Sequence, residues 1–363
     1  MRTLRLPGQG GSCGGAHGFN GRVMRSHLAP NQPRPRLRSG ARAFGYLAPL
    51  IFLITAANPV LKTLRGQSRD AAGHILIITG MNERYVEAAR AMQASLQRSG
   101  TTCELIELPP PRDASAINAV AEKIKSGSTS IVAASGEQAV RFSMESLPEA
   151  KVVYFMIPNA MDADWVADPE KFGHRTAGIS AEPAPEERLA WIRRVAPQTR
   201  RLALLYSART QGAFRAITEA GKSRDIEIGG IRVERGKFGE ALKALSASDY
   251  DGVVMIPDPL IYNAGTIQEL LLWGLRGKKP VWAFSSNIVK AGAFAGQWCE
   301  PVDVGIAASR ITQELLKGAD AGKIGLAFSS DVKRAVNRNT AERIGLSIEN
   351  RLDREVTIFG DAP

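Results

Sequence analysis

From about residue 73 to residue 284 the chain alternates two kinds of segment, and the series runs twice. One kind is a short apolar run rich in valine and isoleucine. The other is longer, with apolar residues recurring every three to four positions. The first reads as a strand buried on both faces, the second as an amphipathic helix. Parallel strands need a long crossover between them, and helices of this length supply it. The alternation therefore predicts an α/β protein of two doubly wound, Rossmann-like lobes. In the first series, strands are expected over residues 74–79, 103–108, 130–134 and 151–157, with helices over 83–99, 114–125 and 137–144. A short linking strand follows at 176–179. The second series runs helix 185–195, strand 201–206, helix 211–222, strand 226–233, helix 238–247, strand 253–256, helix 264–275 and strand 280–284. Beyond it come a helix over 302–316, ended by Lys317-Gly318, a strand near 332–336, a helix near 340–344 and a weakly patterned tail.

Residues 251–267, DGVVMIPDPLIYNAGTI, show what the strand ends offer. The apolar run stops at Pro257-Asp258-Pro259, where two prolines remove backbone donors and stiffen the exit. In an open α/β sheet, ligands bind in the crevice at the carboxyl ends of the strands. Asp258, Tyr262 and Asn263 therefore project where a solute would sit. The same residues would serve equally as a solvated connection, since polar residues gather at strand ends for turn reasons alone.

A formal charge of +11 invites a nucleic-acid reading, but its placement argues against one. Residues 1–72 hold eleven Arg and Lys against the single acid Asp70, so the remainder carries only about +1. The globular part presents no phosphate-binding surface, and no nucleic-acid partner is expected. The basic leader runs into the apolar stretch 44–57, FGYLAPLIFLITAA, which has the length of a signal-peptide core and ends in small residues. It is short for a membrane span. The expectation is a cleaved export signal, with an uncleaved anchor as the alternative and Met24 as a candidate start. Cys13, Cys103 and Cys299 show no metal-ligand or CxxC spacing, which leaves Cys103 and Cys299 as separate thiols.

The same strand ends carry no catalytic constellation in the sequence. Beyond the leader only His74 and His174 occur, neither beside an acid and a nucleophile. There is no G-x-S-x-G elbow, Walker loop or G-x-G-x-x-G turn. Ser135, Ser285 and Ser286 lack a base. The inventory is small polar groups, free backbone N–H and a few aromatics, which suits binding and not catalysis. No enzyme activity, cofactor or metal is expected.

Several stretches, taken in order, resemble one family. The run 176–207, TAGISAEPAPEERLAWIRRVAPQTRRLALLYS, resembles the hinge, helix and strand of ABC transporter substrate-binding proteins, some of which bind aromatic amino acids. Ile256-Pro257-Asp258-Pro259-Leu260 matches that family's strand end, and Lys279-Pro280-Val281-Trp282 with Val289–Phe294 matches its next strand and turn. Val336–Leu346, VNRNTAERIGL, matches its ending. The resemblance covers roughly residues 74–350. It implies a type I periplasmic-binding fold, in which two lobes joined by three crossings close on a ligand. The crossings would fall near residues 178–180, 295–299 and 318–322. The division would then be a leader over 1–57, a linker over 58–72, one lobe of 73–178 plus 296–318, and a second of 179–295 plus 319–363.

The resemblance also implies where the ligand sits. Ser135, Gly136, Pro158 and Asn159 would face it from the first lobe, and Tyr206, Ser207, Asp258 and Ser285 from the second. Asp258 would suit an ammonium group and Ser135 a carboxylate; Trp298 or Tyr206 would stack on a ring or cation. Where the family often has Ser-Tyr-Gly, this chain has Gly296-Gln297-Trp298, so its solute is expected to differ. The implied role is a periplasmic component that delivers a small solute, an amino acid or aromatic compound, to an ABC permease and meets the membrane only through it. A sensor subunit signalling to a membrane kinase or cyclase remains an alternative, as does, more remotely, an enzyme on the same scaffold. N-terminal sequencing of exported protein is expected to begin just after Ala57. Material beginning at Met1 or Met24 would rule out cleavage, and protein confined to the cytosol would rule out export.

Overall fold

A computed structural model of the chain describes residues 74–125, 127, 129–348 and 352–360. The expected leader, its cleavage point, Cys13 and the linker over 58–72 lie outside the described residues. The chain begins with β1 (Ile75–Thr79), α1 (Glu83–Arg98), β2 (Cys103–Glu107), α2 (Ala114–Lys125), β3 (Ile131–Ser135), α3 (Glu137–Ser146), β4 (Lys151–Ile157) and, after three short helical turns, β5 (Thr176–Ser180). The second series is α4 (Pro185–Val195), β6 (Arg201–Tyr206), α5 (Gln211–Lys222), β7 (Glu227–Arg232), α6 (Phe238–Ser246), β8 (Gly252–Val254), α7 (Ala264–Gly277), β9 (Val281–Ala283), α8 (Ser286–Lys290) and β10 (Ala295–Cys299). Then follow α9 (Pro301–Leu316), β11 (Leu326–Ala327), β12 (Val332–Asn337), α10 (Arg338–Ile344) and β13 (Thr357–Phe359).

The strands form two sheets, ordered β11-β5-β4-β3-β1-β2 and β13-β12-β10-β9-β8-β6-β7. All pairings are parallel except β10 with β12. Successive strand residues point to opposite faces, so a sheet covered on both sides must be apolar at every position. In β1, Ile75 and Ile77 join the core under α1 and α9, while Leu76 and Ile78 join the core under α2 and α3. In β6, Leu202 and Leu204 pack with α4 and α5, while Ala203 and Leu205 pack with α6 and α7. Trp282 anchors the second lobe, meeting Trp191 and Phe294 edge-on at 5.6 and 5.1 Å between centroids.

Two lobe boundaries differ from the sequence expectation. Residues 296–299, assigned to the first lobe, complete β10 inside the second sheet, between β9 and β12. The glycine- and alanine-rich approach to β10 looks like a turn, yet Phe294 and Ala295 are fully buried there. Residues 326–327, assigned to the second lobe, pair with β5 in the first sheet. The chain thus passes between sheets after β5, after β10, and between β11 and β12, so the third passage falls at residues 328–331 and not 318–322. A half-buried strand of two residues leaves no periodic signal, which is why β11 escaped notice. The partly exposed β13 was missed for the same reason.

Cys103 and Cys299 are free thiols, as their spacing suggests. Among the described residues no helix is long and apolar enough to cross a membrane. Helix α9 returns from the second lobe to lie on α1, with Ser309 Oγ 2.7 Å from Ser95 Oγ and Gln313 Nε2 2.7 Å from Ser99 Oγ. The helices meet so closely that a Cβ on Gly305 would run into the Ala88 carbonyl. Gly305→Ala should therefore destabilise by about 1–3 kcal/mol through overpacking, although alanine favours helix by about 1 kcal/mol. A melting temperature above that of the parent would show that the helices can part without loss.

Candidate ligand-binding cleft

The carboxyl ends of β1, β3 and β4 face those of β6, β8 and β9 across a cleft. A cavity of about 400 Å³ lies in it, with Tyr85, Met156 and Pro158 on one wall and Phe284, Ser285, Gln297 and Trp298 on the other. Glu182 and Arg188 close it at the first passage between lobes. A second cavity of about 360 Å³ continues past Tyr85 and Pro158 to Asn159, Asp162, Trp165, Arg209 and Asp258. A larger hollow of about 610 Å³ lies on the outside of the second lobe, among α7, α8 and α10. Helix faces line it, away from the strand ends, and the polar groups that could orient a solute converge in the cleft instead.

The two sides of the cleft touch directly. The Asn159 side-chain amide donates to the Pro257 carbonyl. The Asp162 carboxylate, on the loop after β4, accepts from the backbone N–H of Ala213 at 2.9 Å and from that of Gly212. Those N–H groups open helix α5, so an acid of one lobe caps a helix of the other. Burial pushes the Asp162 carboxyl up from its ordinary value, and the two N–H groups oppose that shift. At the end of β4, Met156 and Asn159 adopt φ of 57° and 49°, a left-handed backbone that L-residues seldom take. The strand register shifts between Tyr154 and Ile157. This bulge carries Met156 and Pro158 into the cavity wall.

Glu182, which is partly exposed, and the buried Arg188 form an electrostatic couple beside the cavity. Glu182 accepts from the Asn159 N–H at 3.1 Å and the Ser180 hydroxyl at 3.4 Å, and Arg188 donates to the Met255 carbonyl at 3.2 Å. Burial pushes the Glu182 carboxyl up to about 7, against the pull of Arg188, the Asn159 N–H and Ser180. Burial lowers the Arg188 pKa from its ordinary value, while Glu182 opposes the change. Sequence reasoning missed both. A signal existed for Arg188, which falls in phase with Pro185, Leu189, Ile192 and Val195 on the buried stripe of α4. Tyr85, Phe284 and Gln297 were also missed as wall residues.

Of the expected site residues, Pro158, Ser285 and Trp298 line the first cavity, and Pro158, Asn159 and Asp258 the second. Asp258 is 2% exposed, and both carboxylate oxygens are engaged, by the Thr210 hydroxyl and the Leu260 N–H, each at 2.9 Å. The others support the walls from behind. The Ser135 hydroxyl donates to the Tyr85 carbonyl at 3.0 Å. Gly136, at φ 88°, leaves room for the Tyr85 ring, which a Cβ would approach to 2.6 Å. Tyr206 stacks on Phe214, centroids 4.4 Å apart, and Ser207 shares a capping box with Thr210. Tyr262 is buried against Phe284, and its hydroxyl has no partner. Asn263 caps α7. Trp298 is pinned by its indole N–H, which donates to Glu300 at 2.5 Å. Among the described residues, no group of three or more His, Cys, Asp or Glu could hold a metal ion.

Residues 110–357 match the family model described as ABC transporter substrate binding protein. The fold is also that of solved structures. One is a ligand-free, open substrate binding protein with adhesive properties from Clostridium difficile, with TM-score 0.61 and 15% identity, covering 79% of this chain and 99% of that one. Another is an ABC domain in complex with L-Trp from Streptococcus pneumonia, with TM-score 0.54 and 15% identity, covering 79% of this chain and 100% of that one. A conserved domain protein from Vibrio cholerae gives TM-score 0.55 at 13% identity, covering 79% of this chain and 99% of that one. No protein of curated function matches the sequence. The architecture is the type I periplasmic-binding fold.

The Glu182 carboxyl supplies a test with a definite sign. Its pKa rises on folding from an ordinary 4.5 to about 7, so between those values the folded state holds a proton that the unfolded state has released. That contribution to stability is complete below about 4.5 and lost as pH rises through about 7. Glu182→Gln lacks the titration. The parent's melting temperature minus the variant's should therefore fall across this window, and a constant difference would show that burial does not raise the carboxyl.

Proposed function

The chain belongs to the ABC transporter substrate-binding protein family, and on that premise we propose that it is an exported component that captures a small solute between its lobes and delivers it to a membrane permease. The observation that carries this reading is the cavity of about 400 Å³ bounded by both lobes and by the passage between them. Cavities of this size suit small-molecule ligands, and a closing cleft strips water from whatever it holds. The hydrogen bonds that Asn159 donates to, and Asp162 accepts from, the opposite lobe would exist only when the lobes are together. Closure creates a surface that the open protein lacks, and a permease that reads that surface takes up loaded protein preferentially.

The solute is an amino acid or aromatic compound. Tyr85, Phe284 and Trp298 offer ring faces and edges on both walls, and ring contacts supply much of the energy of small binding sites. L-Trp in the Streptococcus pneumonia neighbour is consistent with such a pocket. Periplasmic residence follows from the same reading, with membrane contact through the permease.

A thermal-shift screen of amino acids, aromatic acids, nucleobases, nucleosides and sugars tests the proposal. One class should raise the melting temperature, because a solute at 100 times its Kd stabilises by about 2.7 kcal/mol. A flat response across all classes would remove solute capture as the function.

A further inference from the structure

Among the described residues that line the first cavity, Gln297 has a side-chain amide left without partners at both ends. It lies in β10, between β9 and β12, and is 2% exposed. Both its Oε1 and its Nε2 are buried without a hydrogen-bond partner. A buried amide unpaired at both ends is costly, and native proteins keep very few. In a binding protein, the natural completion of such a group is the ligand. Gln297 lines the cavity beside the pinned Trp298 ring, and Phe284 follows directly after β9, the parallel neighbour of β10.

Resting on the reading of this cleft as a solute site, we propose that Gln297 determines specificity for an uncharged planar heterocycle bearing a donor and an acceptor side by side, of the nucleobase type. In either orientation a carboxamide presents one N–H donor beside one oxygen acceptor. That edge pairs with a lactam or amino-imine edge through two parallel hydrogen bonds, the geometry by which glutamine reads adenine in DNA. The rings of Tyr85, Phe284 and Trp298 line the same cavity, and ring stacking is what holds bases on single-strand-binding proteins.

The acids around the cavity weigh against a free amino acid, whose ammonium group needs an unoccupied carboxylate. Asp258 is held by Thr210 and Leu260, Glu300 by Trp298, and Glu182 by Asn159 and Ser180. Burial also holds Glu182 towards its neutral form. Arg84, which lines the mouth, is exposed, so solvent screens its pull on an anionic group.

The test is calorimetric titration of the parent, Gln297→Leu and Gln297→Met with uracil, hypoxanthine and adenine, beside L-tryptophan and L-phenylalanine. At least one base should bind the parent and lose roughly 10- to 100-fold in affinity in both variants, the loss of a paired polar contact. The ligand-free variants should melt no lower than the parent, because they remove a buried unpaired group. A lowered melting temperature in both variants would make Gln297 a structural support and overturn the assignment. Equal base affinity in parent and variants would overturn it too. If the bases fail while tryptophan, phenylalanine or another solute of the wider screen binds, the solute class is wrong and the capture function stands. If nothing binds, both fall.

Discussion

Each sheet is buried on both faces, and that constraint decides where this protein can do anything. A parallel strand with helices above and below offers no side chain to solvent along its length, as Ile75–Thr79 and Leu202–Leu205 show. Polar backbone becomes available only where a strand stops. Two such sheets with their carboxyl ends facing one another gather those ends into a single cleft. Pro158 after β4, Pro257 after β8 and Ser285 after β9 share one wall system for this reason, although they are far apart in sequence.

The same constraint explains why the polar groups of the cleft are so tightly engaged. A carboxylate drawn into a narrow gap between two apolar bodies must find donors or take up a proton. Asp162 finds two backbone N–H groups, Asp258 finds a hydroxyl and an N–H, and Glu182 finds an N–H, a hydroxyl and a nearby guanidinium. Ser135, Ser207 and Thr210, near these strand ends, also spend their hydroxyls on neighbouring protein groups. Gln297 departs from that pattern, because both polar ends of its amide lie buried without a partner.

The sheets and helices were legible in the sequence because their signal is local and repetitive. Lys151–Ile157, Pro185–Val195, Arg201–Tyr206 and Gln211–Lys222 fall where the apolar spacing puts them. What could not be read was the topology of short pieces. Leu326–Ala327 is a strand only because β5 lies beside it, and Ala295–Cys299 joins the second sheet because Phe294 needs the pocket against Trp282. The site was legible at the level of strand ends and not of side chains. Asp258 stood out as an acid between prolines, yet its direction is set by Thr210, forty-eight residues earlier. Gln297 stood out as a departure from a familiar pattern, but its isolation is a property of the folded neighbourhood and has no signature in sequence.

The capping of α5 by Asp162 has a consequence for how strongly any solute is held. The first N–H groups of that helix have no partner within it, and Asp162 of the opposite lobe supplies the acceptor. If the lobes open as proposed, that contact is exchanged for water, so the clasp would weight the ensemble towards closure before a solute arrives. The apparent dissociation constant equals the intrinsic one divided by the fraction of molecules already competent to bind. If entry needs an open cleft, the clasp slows association. If retention needs a closed one, it lengthens residence. On the proposed reading, a single carboxylate outside the main cavity would set the exchange rate of the cargo without touching it, so that delivery speed could change at Asp162 while the pocket's choice of solute stayed the same.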